Sequence, residues 1–212
     1  MDVVRIWCGR EGWQLDHDRL STSKAMMDYL EIPAKPAILM LCTGNAARSV
    51  MAEVLLSAMR TDIAVSSAGT LAVEGQPLSM RTRHALEYVE MPVPSHHRSR
   101  ELTADDAATA DLVVAMERGH VRHVRRHYPD YAWKVATLGW LAEELPYGLE
   151  PLSDRVAGLH LDSVDLDMQP EVSDPADVVI PDGTDRLGRE MQVYVDCALE
   201  LRDLIRKLES RL

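Results

Sequence analysis

The chain has 212 residues, 46% of them hydrophobic and 27% charged, with a formal net charge of −11. That length allows one well-filled α/β domain with additions, and no apolar run approaches the roughly eighteen residues of a membrane span. So negative a balance speaks against nucleic acid as a main partner, because duplex binding rests on neutralising phosphates.

The charge is uneven. From Leu141 to Gly183 there are eleven acids and one base, Arg155, so one segment supplies nearly all of it. Three separated cysteines, Cys8, Cys42 and Cys197, offer neither a disulfide framework nor zinc spacing, so no metal and no other cofactor is expected. The N-terminus carries Asp2, Arg5, Arg10 and Glu11 and lacks a signal peptide's apolar core. A cytoplasmic protein without membrane association is the expectation.

In chain order, residues 1–35 read as an extension. They hold Trp7 and Trp13, and Ser21 or Ser23 caps a short helix through Leu30 that Pro33 and Pro36 end. Two tryptophans are costly to leave in water, so this extension is expected to pack on the domain formed by residues 36–212 or on a partner subunit, which leaves a homodimer open.

Pro36 to Leu41 is a short uncharged apolar run, the pattern of a buried parallel strand. Val50, Met51, Val54, Leu55 and Ala58 then recur with helical period, so Cys42 to Ser49 form a strand-to-helix loop. Asp62–Ser66 reads as a second strand and Leu78–Val89 as a helix. Thr103 caps a short helix through Ala110, Leu112–Met116 is a fully buried strand, Glu117–His127 a helix, and Val135–Leu138 a last strand. Leu187, Met191, Tyr194, Ala198, Leu201, Ile205 and Leu208 mark a final amphipathic helix. Strands alternating with helices give an α/β fold, a doubly wound four-stranded parallel sheet with helices on both faces.

Two further stretches each admit two readings. Arg118, His120, Arg122, His123, Arg125, Arg126 and His127 make a basic cluster on one helix, read as a solvated face in preference to a docking site for acidic substrates. Residues 141–173 form a long insertion in which Leu and Asp alternate from Leu159 to Asp167. That alternation suggests a half-buried strand or a lid beside the site, with a surface flap as the plainer reading.

The Cys42–Ser49 loop carries the chemistry. A loop entering a helix N-terminus offers unpaired backbone N–H groups which, with the helix dipole, suit a phosphate. Gly44 and Asn45 are the types that most readily take the positive φ of a concave nest. The same donors stabilise a thiolate, so Cys42 is a candidate nucleophile. Arg48 can fold back over the loop and hold two phosphoryl oxygens with its planar fork.

Cys-x5-Arg-Ser between strand and helix resembles the phosphate loop of the low-molecular-weight protein-tyrosine phosphatases and the related arsenate reductases. Ser67-Ala68-Gly69-Thr70, the His97-to-Arg100 segment and Asp174-Pro175 extend the likeness. The resemblance implies a phosphomonoester hydrolase that forms a phosphocysteine on Cys42. Arg48 and the backbone of Thr43, Gly44, Asn45, Ala46, Ala47 and Ser49 would bind the phosphoryl group, with the Ser49 hydroxyl on the thiolate. Ser67 and His97 would support Asn45, and Asp174 would be the general acid, with Asp177 and Asp182 competing.

The chain also departs from the family pattern. Ala176 and Leu71 stand where the family carries aromatic residues that sandwich a phosphotyrosine ring, unless Tyr147 of the insertion replaces them, and Ala47 stands where many members have a second cysteine. Phosphotyrosine on a protein is the expected substrate. A phosphatase for a sugar or nucleoside phosphate and an arsenate reductase using an external thiol are the alternatives, the last because no further cysteines lie where a disulfide relay would need them.

Overall fold

The structure is a computed structural model and describes residues 35–180 and 185–212. The helix after Ser21 or Ser23, the packing of Trp7 and Trp13, and the competing acid Asp182 lie outside the described residues.

Strand β1 (Ala37–Cys42) is buried from Ile38 onward. It lies between two parallel neighbours, β2 (Ala64–Gly69) and β3 (Leu112–Ala115), and β4 (Val135–Thr137) pairs parallel beyond β3. The order is β2-β1-β3-β4, so the four-stranded parallel sheet expected from the apolar runs is the one that forms. Alternate residues of β1 face opposite layers, and both layers are apolar. Ile38, Met40 and Cys42 point into the larger core with residues of α1 (Arg48–Met59), α2 (Met80–Tyr88) and the long α7 (Arg186–Glu209); Leu39 and Leu41 join Val121 and Val124 of α4 (Arg118–His127) on the other face. The short α3 (Ala104–Thr109) opens with a capping box between Thr103 and Asp106.

The chain leaves β1 for β2 on one side and then crosses to β3 on the other. The C-terminal ends of β1 and β3 therefore frame the topological switch point, where open α/β sheets place their ligands. Cys42 ends β1 there, and Glu117 follows β3 there.

Three elements differ from the sequence reading. Strand β2 runs on to Gly69, because Ser67 turns its hydroxyl to a buried partner, Asn45. Strand β4 stops at Thr137, whose side chain accepts from the Trp140 amide and caps α5 (Leu138–Glu144). The insertion forms no strand: α6 (Leu152–Ala157) and a turn-rich return bury Leu152, Val156, Leu161 and Val172 in the main core. His160 has φ 49, and Arg125 donates to the carbonyls of Leu161 and Val164. These bonds satisfy backbone acceptors that a strand would have given to a neighbour. Arg155 ties the start of the insertion to the carbonyls of Pro146, Arg211 and Leu212, at the far end of α7.

Candidate active site

Cys42 is nearly inaccessible at the end of β1. The next residues are held by backbone bonds, Thr70 N to Cys42 O and Leu71 N to Thr43 O. Gly69 lies so close that a Cβ there would sit 2.5 Å from Thr43 O and 2.9 Å from Asn45 N, so only glycine fits. Ala47 is the N-cap of α1 and offers no side-chain cap, and no acid stands in the helix's first turn. The first amides of α1 are thus left without side-chain acceptors, and the helix dipole favours an anion there.

Asn45 has φ 48 and is fully buried. Gly44 does not share the positive φ expected of it, so the strained conformation rests on Asn45 alone. Its Oδ1 accepts from the Arg100 amide at 3.0 Å. Because a backbone N–H can only donate, the orientation of the Asn45 amide is fixed, and its Nδ2 donates to Ser67 Oγ at 2.8 Å and Ser49 Oγ at 3.1 Å. The Asn45 carbonyl accepts from His97 Nε2 at 2.9 Å and Ser99 Oγ at 2.8 Å. Ser49 Oγ lies 3.0 Å from Cys42 Sγ. Ser49 accepts from Asn45 and can turn its own O–H toward the sulfur.

Arg48 is 1% exposed and lies between two carboxylates, donating from Nη1 to Glu117 and from Nη2 to Asp174. Nη1 also donates to Val172 O at 2.9 Å. Burial is the largest influence on its pKa and lowers it. The hydrogen bond to Glu117 and the charges of Asp174, Glu117 and Cys42 together outweigh that, so the pKa is raised above its ordinary value. Asp174 is partly exposed, and its Oδ1 accepts from the Ala176 amide at 2.9 Å, a turn that Pro175 favours. Among the described residues Arg48 pairs with Glu117 and Asp174 and not with Asp177, the other described candidate acid.

The structure thus brings Cys42, Thr43, Asn45, Arg48, Ser49, Ser67, His97 and Asp174 into one constellation, with Gly44 and Ala46 in the loop between them. It also adds residues the sequence reading missed or misplaced. Ser99 is one, and Thr82, which donates to Ala46 O at 2.9 Å, is another. Glu117 and His120 are the others. His120 does not belong to a solvated basic face. It is buried beside the loop, 3.0 Å from Thr43 Oγ1, and its pKa is pushed down to about 3 by burial first, then by Arg48 and His123. A helical signal was available: His120 stands beside Val121 and one turn before Val124, on the buried face. Cys197 is buried in the same core, and burial pushes its thiol up to about 12, which leaves it no part as a second thiolate. Among the described residues no cluster of His, Cys, Asp or Glu could hold a metal ion, and no helix is long and apolar enough to cross a membrane.

Residues 37–146 match the family described as "Low molecular weight phosphotyrosine protein phosphatase". The chain belongs to that family. It is 29% identical over 180 residues to the "Protein-arginine-phosphatase" of Bacillus subtilis, covering 82% of this chain and 95% of that one. To "Low molecular weight protein-tyrosine-phosphatase Ptp" of Acinetobacter johnsonii it is 29% identical over 110 residues, 51% of this chain and 77% of that one.

Among solved structures, the low molecular weight protein tyrosine phosphatase of T. tengcongensis superposes with TM-score 0.62 at 31% identity, over 84% of this chain and 99% of that one. The YwlE arginine phosphatase of Geobacillus stearothermophilus does so with TM-score 0.62 at 25% identity, over 82% and 91%. As a member of this low molecular weight phosphatase family, the chain is a cysteine-dependent phosphatase.

Proposed function

We propose that the protein removes a phosphoryl group from a protein side chain, with Cys42 as nucleophile, Arg48 as the phosphoryl-binding fork and Asp174 as general acid and base. The observation that carries the assignment is the chain of hydrogen bonds that ends on Cys42 Sγ, from Arg100 through Asn45 to Ser49. This chain of bonds holds Asn45 at its positive φ and sets the Ser49 hydroxyl against the sulfur that would attack.

In the first step the sulfur attacks phosphorus in line and the bond to the leaving atom breaks, Asp174 giving that atom its proton. In the second, water attacks the phosphocysteine, Asp174 takes a proton from it, and phosphate leaves with the thiolate restored. The α1 amides and Arg48 stabilise the charge on the equatorial oxygens throughout.

Phosphotyrosine is the first reading of the substrate, on the strength of the family match across residues 37–146. Phosphoarginine is the second. It is favoured by the relative aligned over 180 residues and by the absence of ring walls at Leu71 and Ala176. Tyr147 does not offer a replacement wall: Arg211 lies over its ring at 4.8 Å, beyond the C-terminal end of α7. The aromatic beside the acid loop is Tyr194, some seventeen residues and about 25 Å nearer the start of that helix. It lines a cavity of about 170 Å³ with Arg81, Pro175 and Ala176.

A small-metabolite substrate loses the argument it drew from a lid, since the insertion is packed into the core. Arsenate reduction gains no support from the site beyond the shared loop. The test is a profile of kcat/KM over phosphotyrosyl and phosphoarginyl peptides, sugar and nucleoside phosphates, and arsenate with a thiol. A phosphopeptide should lead every small phosphate by at least about tenfold, roughly 1.4 kcal/mol in transition-state binding. A sugar or nucleoside phosphate in the lead would overturn the protein-phosphatase reading.

A further inference from the structure

His120 is the buried titratable group beside the site that the mechanism above leaves idle, and its hydrogen bonds determine where its proton is. Nδ1 lies 3.0 Å from the Glu117 amide. That amide can only donate, so Nδ1 presents its lone pair. A neutral imidazole then carries its hydrogen on Nε2, and Nε2 is 3.0 Å from Thr43 Oγ1. His120 is the donor and the Thr43 oxygen the acceptor. The cationic ring would set an N–H against the Glu117 N–H, and burial together with the nearby Arg48 charge disfavours it as well.

The consequence falls on Thr43, the residue between the nucleophile and the nest. Its backbone carbonyl is held by the Leu71 amide. Its hydroxyl has one lone pair taken by His120, so it keeps its own proton and must direct it elsewhere. His120 covers the buried side, whereas Thr43 is only half-buried, so the remaining direction is the open side of the loop. Glu117 holds Arg48 while its amide fixes His120. One capping box at the start of α4 therefore governs both ends of the loop, Thr43 at its beginning and Arg48 at its close.

We infer that His120 is a positioning residue which fixes the Thr43 hydroxyl as a hydrogen-bond donor to the bound phosphoryl group, so that Thr43 supplies a side-chain contact in addition to the backbone nest. This rests on the cysteine-phosphatase reading of the site. A donor to the phosphoryl group acts whatever is attached to it, which separates its effect from that of the acid.

The experiment measures kcat, KM and inhibition by inorganic phosphate for wild type, Thr43→Val, Thr43→Ser, His120→Leu, His120→Gln and the Thr43→Val/His120→Leu pair, on aryl phosphates of graded leaving-group pKa. Gln at this position can still complete the capping box, accepting from the Glu117 amide through its carbonyl and offering an N–H to Thr43. Thr43→Val should lose about tenfold in kcat/KM, equally for good and poor leaving groups, with a similar weakening of phosphate inhibition. Ser and Gln should recover most of their respective losses. His120→Leu should cost little more once Thr43 is Val, the coupling expected of partners in one interaction.

Thr43→Val with wild-type phosphate inhibition and kcat/KM would overturn the inference, as would additive losses in the pair or a loss confined to poor leaving groups. A purely structural role would lower unfolding midpoints without moving phosphate inhibition of the folded enzyme, and that result also counts against it. Failure of the underlying reading looks different: turnover would survive Cys42→Ser, whatever Thr43 does.

Discussion

Replacing Asn45 by alanine isolates what holds the phosphate loop in shape. The side chain is fully buried and makes three hydrogen bonds, to Ser67, Ser49 and the Arg100 amide. Each is worth about 1 kcal/mol net, and more when its partner is left buried and unsatisfied. Alanine also tolerates φ 48 poorly, by roughly 1–2 kcal/mol. A total near 4 kcal/mol is expected for Asn45→Ala, against a stability of about 5–15 kcal/mol for a domain of this kind, so the variant should remain folded. Asn45→Gly loses the same bonds but takes positive φ freely, and should be less damaged by about 1 kcal/mol. Urea denaturation reads both, through the midpoint at unchanged slope. Vanadate inhibition reports the nest itself and should weaken in both. A loss below about 1 kcal/mol for alanine, or vanadate inhibition equal to wild type, would refute the view that this network shapes the loop.

Gly69→Ala should reduce activity by about 10² or more, since the new methyl would sit 2.5 Å from Thr43 O and must displace the loop; kcat near wild type would show that the contact yields without moving the chemistry. Asp174→Asn should lower kcat/KM for esters with poor leaving groups by about 10²–10⁴ while sparing kcat/KM for p-nitrophenyl phosphate, although kcat falls for both because they share the second step; an equal loss of kcat/KM on both would transfer the acid role to another residue. For pH, His120 titrates at about 3 in the folded protein against an ordinary 6.5, so the unfolded chain binds an extra proton between those values. The stability associated with its neutral form is complete above about pH 6.5 and is lost as pH falls towards 3, at about 1.4 kcal/mol per unit. His120→Gln should flatten urea-denaturation stability against pH by that slope between pH 4.5 and 6; parallel curves for the two proteins would contradict it.

Much of the site was legible because its signals are local. The uncharged run of β1, the loop of small residues and the helical period after Ser49 lie in one continuous stretch, and Cys42, Asn45, Arg48 and Ser49 fall inside it. Glu117 and His120 were not legible in the same way. Their role arises because β3 pairs directly with β1, a long-range fact, and in the sequence His120 is hidden among basic residues of which Arg122 and Arg126 are exposed. The insertion misled for a related reason. Alternating Leu and Asp is strand chemistry only if a neighbour accepts the ladder, and here Arg125 takes the carbonyls of Leu161 and Val164 instead. Ser67 extended β2 past its expected end because a polar strand residue is stable once its hydroxyl has a buried partner.

The central claim is that turnover passes through a phosphoryl group on Cys42, and the most direct measurement is acid quenching of the enzyme during turnover of an aryl phosphate followed by mass spectrometry of its peptides. The Asp174→Asn variant, slow to activate water, should raise the trapped fraction. The account predicts one added phosphoryl group, on the peptide containing Cys42 and on sulfur, absent from Cys42→Ala, and no sustained turnover by Cys42→Ala or Cys42→Ser. A phosphoryl group on any other residue, or a Cys42→Ser protein that turns over at the wild-type rate, would contradict it.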